Sequence, residues 1–379
     1  PVGAGMIYVH SHSDSTSASR SITTFAPGTG TPNLKVNKGT IKSTQSGVHV
    51  DNGVSYAGAI TGSSKLVTID IEAPATIDAA TYAVFANVAS AANVIVNNKG
   101  TLTAGPGTAT TAVVNMNGNL TYQGAQTERM QVNNNTGTIT AKNGVNAGAV
   151  FTTNAGLDLI NDGSITGVIR STVGTNPAFA DLGISDTILL RAGSVKGNVR
   201  LGTGDDIGTW SGGTYAGSFM MDTGSDTLTV TTANISNPAA ILDGGDDTSS
   251  ADGMIDTLTI KGVSAAVQGA NLRNWENVVL DGAQISFTDN LLVTGADAGI
   301  GLSLTNSSTL TMGSAFKLTG NLTVAAGSAA NGTGAGAGQF QASAAVSNAG
   351  TLSLTDGAPG DKFTVATNYE IGRASCRER

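Results

Sequence analysis

Apolar and polar residues alternate along this chain in short segments. Thr351-Leu-Ser-Leu-Thr355, Leu228-Thr-Val230 and Leu258-Thr-Ile260 each place aliphatic side chains on one face and small polar ones on the other, the period of a half-buried strand. The best helical candidate, Ala79 to Ala92, carries β-branched residues and no opposing charged face. A signature, Asn-x-Gly-[Thr/Ser]-[Ile/Leu/Val], recurs at Asn37, Asn98, Asn135, Asn161 and Asn348, with Arg191-Ala-Gly-Ser-Val195 as a variant. Asn and Gly accept left-handed backbone angles, so the signature reads as a corner followed by a strand. Spacings of ~20 to 30 residues are the scale of one β-solenoid coil.

Arg191 to Ile207 is the clearest coil, with Val195, Val199 and Leu201 as its core points and Gly204-Asp-Asp206 as a solvated corner. The longer gaps, Gly39 to Gly100 and Gly100 to Gly137, predict coils whose corners have drifted, such as Asn117-Gly-Asn-Leu-Thr121. The Ala/Gly run 325–338 reads as a loop inserted into one coil, and Ile7-Tyr8-Val9 as a broken-off first strand in a Ser/Gly-rich edge, 1–30. The expected architecture is all-β, a single-stranded parallel β-helix over 31–369, elongated, in which neighbouring coils cover one another.

Composition narrows the core. Glycine stands at 51 of 379 residues, aromatics at 4% and charged residues at 12%, so aliphatic stacks replace a round aromatic core. The net charge of −8 disfavours sequence-independent attraction to nucleic acid or anionic lipid, and no nucleic-acid partner is expected. No apolar run approaches the ~20 residues of a membrane-spanning helix. The chain opens at Pro1 with neither Met nor a signal peptide, as an internal fragment or a mature form would. The one cysteine, Cys376, lies in 370–379, whose composition breaks from the rest and resembles a translated sequencing adapter, so it is set aside as a scar.

Three places carry a family resemblance: Val195-Lys-Gly-Asn-Val-Arg-Leu-Gly-Thr-Gly-Asp-Asp206, Asn274-Trp-Glu-Asn-Val-Val-Leu-Asp-Gly282, and the stretch from Asn348-Ala-Gly-Thr-Leu352 to Tyr369. Together they resemble the distal passenger of bacterial autotransporters, type V secreted proteins that carry a surface β-helix through the outer membrane ahead of a C-terminal β-barrel. The resemblance implies a right-handed β-helix at the cell surface or secreted, virulence-associated, whose partners are its own barrel and host-cell, matrix or bacterial surface molecules. It implies an adhesive rod. The alternatives are a β-helix polysaccharide-degrading enzyme, or a stalk for an active domain upstream of Pro1.

Candidate chemistry is sparse. Calcium is the one cofactor considered, on Asp205, Asp206, Asp222, Asp226, Asp243, Asp246 and Asp247, because hard cations take clustered carboxylates at Gly-Asp turns. The turns are about twenty residues apart and no Gly-Gly-x-Gly-x-Asp nonapeptide is intact, so solvated corners are the preferred reading over calcium. His10 and His12 lack further ligands for zinc, and His49 is expected to point outward. No Gly-x-Ser-x-Gly elbow is present and no catalytic residue is expected. Asp158, Asp162 and Arg170 are the residues a polysaccharide-cleaving site would draw on. Trp275 is expected to pack on the solenoid with Glu276 solvated.

Overall fold

The alternation closes into coils of three strands. A computed structural model describes residues 6–9, 21–24, 33–51, 65–87, 92–105, 111–118, 129–172, 183–245, 250–293, 300–313, 316–332, 339–342, 344–353, 362–365 and 369–371. Among them regular structure is strand, apart from single-turn helices at Ala233–Ser236, Ser250–Asp252 and Gly269–Asn271. The chain forms two compact units, one of Pro1–Asp206 with Gly213–Gly217, the other of Ile207–Gly212 with Ser218–Arg379. Each is a parallel β-solenoid.

In the first unit the leading strands Lys65–Ile71, Ala92–Asn98, Arg129–Asn134, Gly156–Asn161 and Thr187–Leu190 pair in parallel, each with the next. The middle strands Thr76–Ala79, Thr101–Ala104, Thr138–Ala141, Ser164–Thr166 and Ser194–Lys196 do the same. So do the third strands Tyr82–Asn87, Ala112–Asn117, Gly148–Thr153, Val168–Thr172 and Val199–Arg200. The parallel register puts Ile77, Leu102, Ile139, Ile165, Val195 and Tyr215 in one column, none more than 1% exposed. Val199 and Leu201 are buried as the alternation requires.

The second unit repeats the plan. Leu228, Leu258, Val278, Leu302, Leu322 and Val346 form the inward column of its leading strands. Ala265, Ile285, Leu310, Ala330 and Leu352 align in its middle strands. Full burial of each aliphatic side chain contributes roughly 1.5–3 kcal/mol, and only the neighbouring coils supply that cover.

Several expectations are corrected. The gap between Gly100 and Gly137 holds no extra coil, because Thr101–Ala104 pairs directly with Thr138–Ala141. Asn117 ends the strand Ala112–Asn117 and is no corner, while 119–121 lie outside the described residues. The longer gap before it holds one coil, Lys65–Asn87, whose corner is Glu72 to Ala75. The Ala/Gly run opens with a turn over 325–328 and then forms a strand, Ala329–Gly332, with Ala330 fully buried against Leu310; a methyl group is enough to fill the column there. Residues 333–338 lie outside the description.

Met6–Val9 is a strand, but it runs antiparallel to Ser46–Asp51 and to Ser21–Thr24, so it covers a sheet edge and belongs to no coil. The strand Tyr369–Ile371 pairs with Val346–Asn348 and takes in Glu370 and Ile371, the first two residues of the run set aside as a scar; 372–379 are not described.

The corner signature has two physical bases, and its sequence implied only the first. Gly193 and Gly213 do hold positive φ, at 68° and 69°. Gly137 and Gly163 do not; a Cβ at either would collide with the coil beneath, Asn98 in one case and the Gly137 carbonyl oxygen in the other. Close approach of backbones selects glycine there. The repeated Asn also shifts by one place in one coil: Asn134, fully buried, aligns with Asn98, whereas Asn135 is half-buried and belongs to a longer corner. Asn37 is exposed and outside the ladder.

Candidate functional site

Two corner columns tie the coils together through side chains. In the first, Asn98 Nδ2 donates to Asn134 Oδ1 at 2.9 Å and Asn134 Nδ2 donates to Asn161 Oδ1 at 2.7 Å, bridging residues 36 and 27 apart in sequence. Asn98 Oδ1 also accepts from the Gly100 N–H at 3.2 Å. Thr76, Thr101, Thr138, Ser164 and Ser194, which follow this corner, face outward beside the core column.

The second column is acidic and sits just before the leading strands. In the first unit Asp186 Oδ1 accepts from the Leu157 N–H at 2.6 Å, and Asp206 Oδ1 from the Asp186 N–H at 2.6 Å. In the second, Asp256 Oδ1 accepts from the Asp226 N–H and Glu276 Oε2 from the Asp256 N–H, both at 2.8 Å. None of these five acids is more than 2% exposed. Buried backbone N–H groups demand acceptors, and a carboxylate one coil further on supplies them.

Burial dominates the electrostatics at Asp186, pushing its carboxyl up to about 7 against the Leu157 N–H, the Ser171 hydroxyl and the Arg129 charge, with the Asp158 charge adding to the rise. Burial also raises the half-buried Asp243, opposed first by the Asn274 amide, which donates to Asp243 Oδ1 at 2.8 Å. Glu72, at the surface, is held below the usual carboxylate range by hydrogen bonds from Lys99 and then Lys35. Asp78 is lowered chiefly by Lys142.

These columns relocate the candidate residues. Asp205 is exposed, but Asp206 and Asp226 are buried, so the Gly204-Asp-Asp206 corner is only half solvated. The Asp206 carboxylate turns onto the neighbouring coil because a buried N–H waits there. Asp222 and Asp243 are half-buried, Asp222 with φ at 69°, and Asp246 and Asp247 lie outside the described residues. Among the described residues no group of three or more His, Cys, Asp and Glu stands close enough to hold a metal ion. Glu276 is 2% exposed, contrary to a solvated reading, for the same reason as Asp206. Trp275 is fully buried, its Nε1 donating to the Leu242 carbonyl at 3.0 Å.

The residues a polysaccharide-cleaving site would use are committed elsewhere. Asp158 receives Arg129 Nε at 2.7 Å and Nη2 at 2.6 Å, a bidentate pair between coils. Asp162 receives Arg191 Nε at 2.9 Å and also its Nη2. Arg170 lies on the third strand of its coil, away from the leading strand and corner that carry the two Asp. His49 is half-buried with its ring edge-on to Phe85, centroids 4.9 Å apart, while His10 and His12 lie outside the described residues.

The sequence did carry a signal for the acidic column. An acid directly precedes each strand start in Asp186-Thr-Ile, Asp206-Ile-Gly, Asp226-Thr-Leu, Asp256-Thr-Leu and Glu276-Asn-Val, and the rungs it joins are 20, 30 and 20 residues apart. Compared with known proteins, the chain matches no family model, no curated protein and no solved structure.

Proposed function

We propose that this chain is the surface-exposed stem of an autotransporter-like passenger, a structural and adhesive β-helix contacting host cells, matrix or other bacteria. The observation that carries the reading is the unbroken columns in each unit, where every coil is covered by the next and the outward positions hold Thr, Ser and Asn. Such a surface offers many weak contacts, and repetition along the coils sums them to avidity. The resemblance at 195–206, 274–282 and 348–369 supplies the secretion route and the right-handed coil of this proposal. The ion pairs Arg129–Asp158 and Arg191–Asp162 favour a non-enzymatic role, since both Asp already neutralise arginines.

The test is direct. Beads coated with the purified chain, washed over epithelial cells and over immobilised matrix, should be retained well above beads carrying an unrelated acidic protein of equal density. Retention no better than that control sinks the adhesive reading. Depolymerisation of polysaccharide by the purified chain, abolished in Asp158→Asn or Asp162→Asn, would replace it with the enzymatic one.

A further inference from the structure

The five middle strands of the second unit, Ser264–Val267, Gln284–Phe287, Thr309–Met312, Ala329–Gly332 and Thr351–Ser353, hold no charged residue. Over the first three of them runs an open groove of about 490 Å³. Its outward lining is Ser264, Ala266, Gln284, Ser286, Thr309 and Thr311, exposed on the first strand and half-buried on the third. The parallel register sets these residues in two short files, Ser264-Gln284-Thr309 and Ala266-Ser286-Thr311. Among the described residues, the hydroxyls and the amide of this lining have no hydrogen-bond partner in the protein.

The middle strands of the first unit are built differently. There the outward groups carry charge or engage one another: Asp78 takes Lys142 and the Thr103 hydroxyl, and Ser194 Oγ donates to Ser164 Oγ at 3.3 Å. In the second unit Lys261 and Asp281, each shortly ahead of a lining strand, pair with each other at 3.0 Å. The groove keeps a neutral surface whose donors and acceptors are unused. A charged polymer would shed water there and meet no counter-charge. A protein partner would find neither an aromatic ring nor an arginine in the lining, the groups that most often anchor protein interfaces.

We propose that this groove binds an extended, neutral polysaccharide. Serine and threonine hydroxyls and the Gln284 amide each donate and accept, as sugar hydroxyls do, so one surface matches a run of them. The methyl groups of Ala266, Thr309 and Thr311 offer the C–H faces of the sugar rings an apolar floor. Strands of adjacent coils lie ~4.8 Å apart, close to the length of one sugar unit in a β-linked chain, so successive sugars meet equivalent positions on successive coils. The groove is then one contact of the adhesive surface proposed above, and rests on that reading only for its biological setting; the binding itself is separable.

The experiment passes the whole chain over an immobilised mixed-linkage β-glucan and over the same polymer carboxymethylated. At ~0.5 M sodium chloride, which screens the chain's general negative charge, the wild-type chain binds the neutral polymer as it does at ~0.1 M and binds the charged one at least about tenfold more weakly. Ser286→Ala with Thr311→Ala, which removes two hydroxyls, weakens binding about tenfold. Ala266→Phe, which fills the groove from an exposed position, abolishes it. The control Thr138→Ala with Thr140→Ala removes two outward hydroxyls from the first unit and leaves binding unchanged. Circular dichroism checks that the variants are folded; should Ala266→Phe unfold, the double variant decides alone. No binding of the neutral polymer, equal binding of the charged one, loss of binding at high salt, or equal loss in the control overturns the proposal. Cell retention without β-glucan binding sinks this groove and leaves adhesion standing. β-Glucan binding without cell retention does the reverse.

Discussion

A methyl group placed on Gly163 would run into the Gly137 carbonyl oxygen and the Asn134 amide. Both belong to the coil beneath, and that coil cannot retreat without opening the ladder of Thr138–Ala141 on Ser164–Thr166. Gly163→Ala is therefore expected to destabilise by several kcal/mol, although Gly163 has no positive φ that would itself require glycine. The neighbouring amide is a milder case. Asn134→Ala leaves an Asn98 donor and an Asn161 acceptor unmatched in a buried site, which costs about 1–3 kcal/mol for each group left unsatisfied. Urea titrations of the two variants check both numbers, and a Gly163→Ala chain as stable as wild type would mean that the coils can separate at this corner. From sequence, this corner could be located but not explained: Asn-x-Gly announces a turn, yet which Asn enters the ladder, Asn134 and not Asn135, depends on the register of the coil below.

The acidic column is the element in which charge and packing meet. An Asp just before each strand start looks like a solvated turn residue, because carboxylates are almost never fully buried unless paired. What reverses that expectation is the backbone: the coil beneath presents an N–H with no strand partner, and only a side chain from above reaches it. Val195, Val199 and Leu201 were legible because their burial follows from the alternation of apolar and polar positions; Asp206 and Glu276 were not, since their burial follows from a neighbour's unsatisfied donor. Proton linkage tests this. The folded carboxyl of Asp186 titrates at about 7, above the ~3.9 of an unfolded Asp, so the folded state binds more protons over that interval. The stability so gained is full below the unfolded value and is lost as pH rises through 7. The chain should melt several degrees higher at about pH 5 than at about pH 8. Asp186→Asn keeps an acceptor for the Leu157 N–H and removes the titration, so it should cut that difference by at least half. An unchanged pH profile in the variant would show that Asp186 is not the group responsible.

At the scale of the whole molecule, ion pairs and aliphatic columns make separate claims on stability, and ionic strength separates them. The pairs join one coil to another: Lys99 to Glu72 at 3.1 Å, Arg129 to Asp158 at 2.6 Å, Lys261 to Asp281 at 3.0 Å. Their side chains remain 17% to 63% exposed, so solvent and salt screen them. Exposed pairs contribute about 0–1 kcal/mol each. The columns are buried, and deleting Leu102 or Leu302 to Ala removes about 2–5 kcal/mol because each leaves a cavity between two coils that cannot close over it. Raising sodium chloride from ~0.05 to ~0.5 M, where the screening length shrinks several-fold, should therefore move the melting temperature by no more than a few degrees. Leu102→Ala or Leu302→Ala should lower it far more at either salt concentration. A large fall with salt in the wild-type chain would mean that charge, and not stacked aliphatic side chains, holds the coils together.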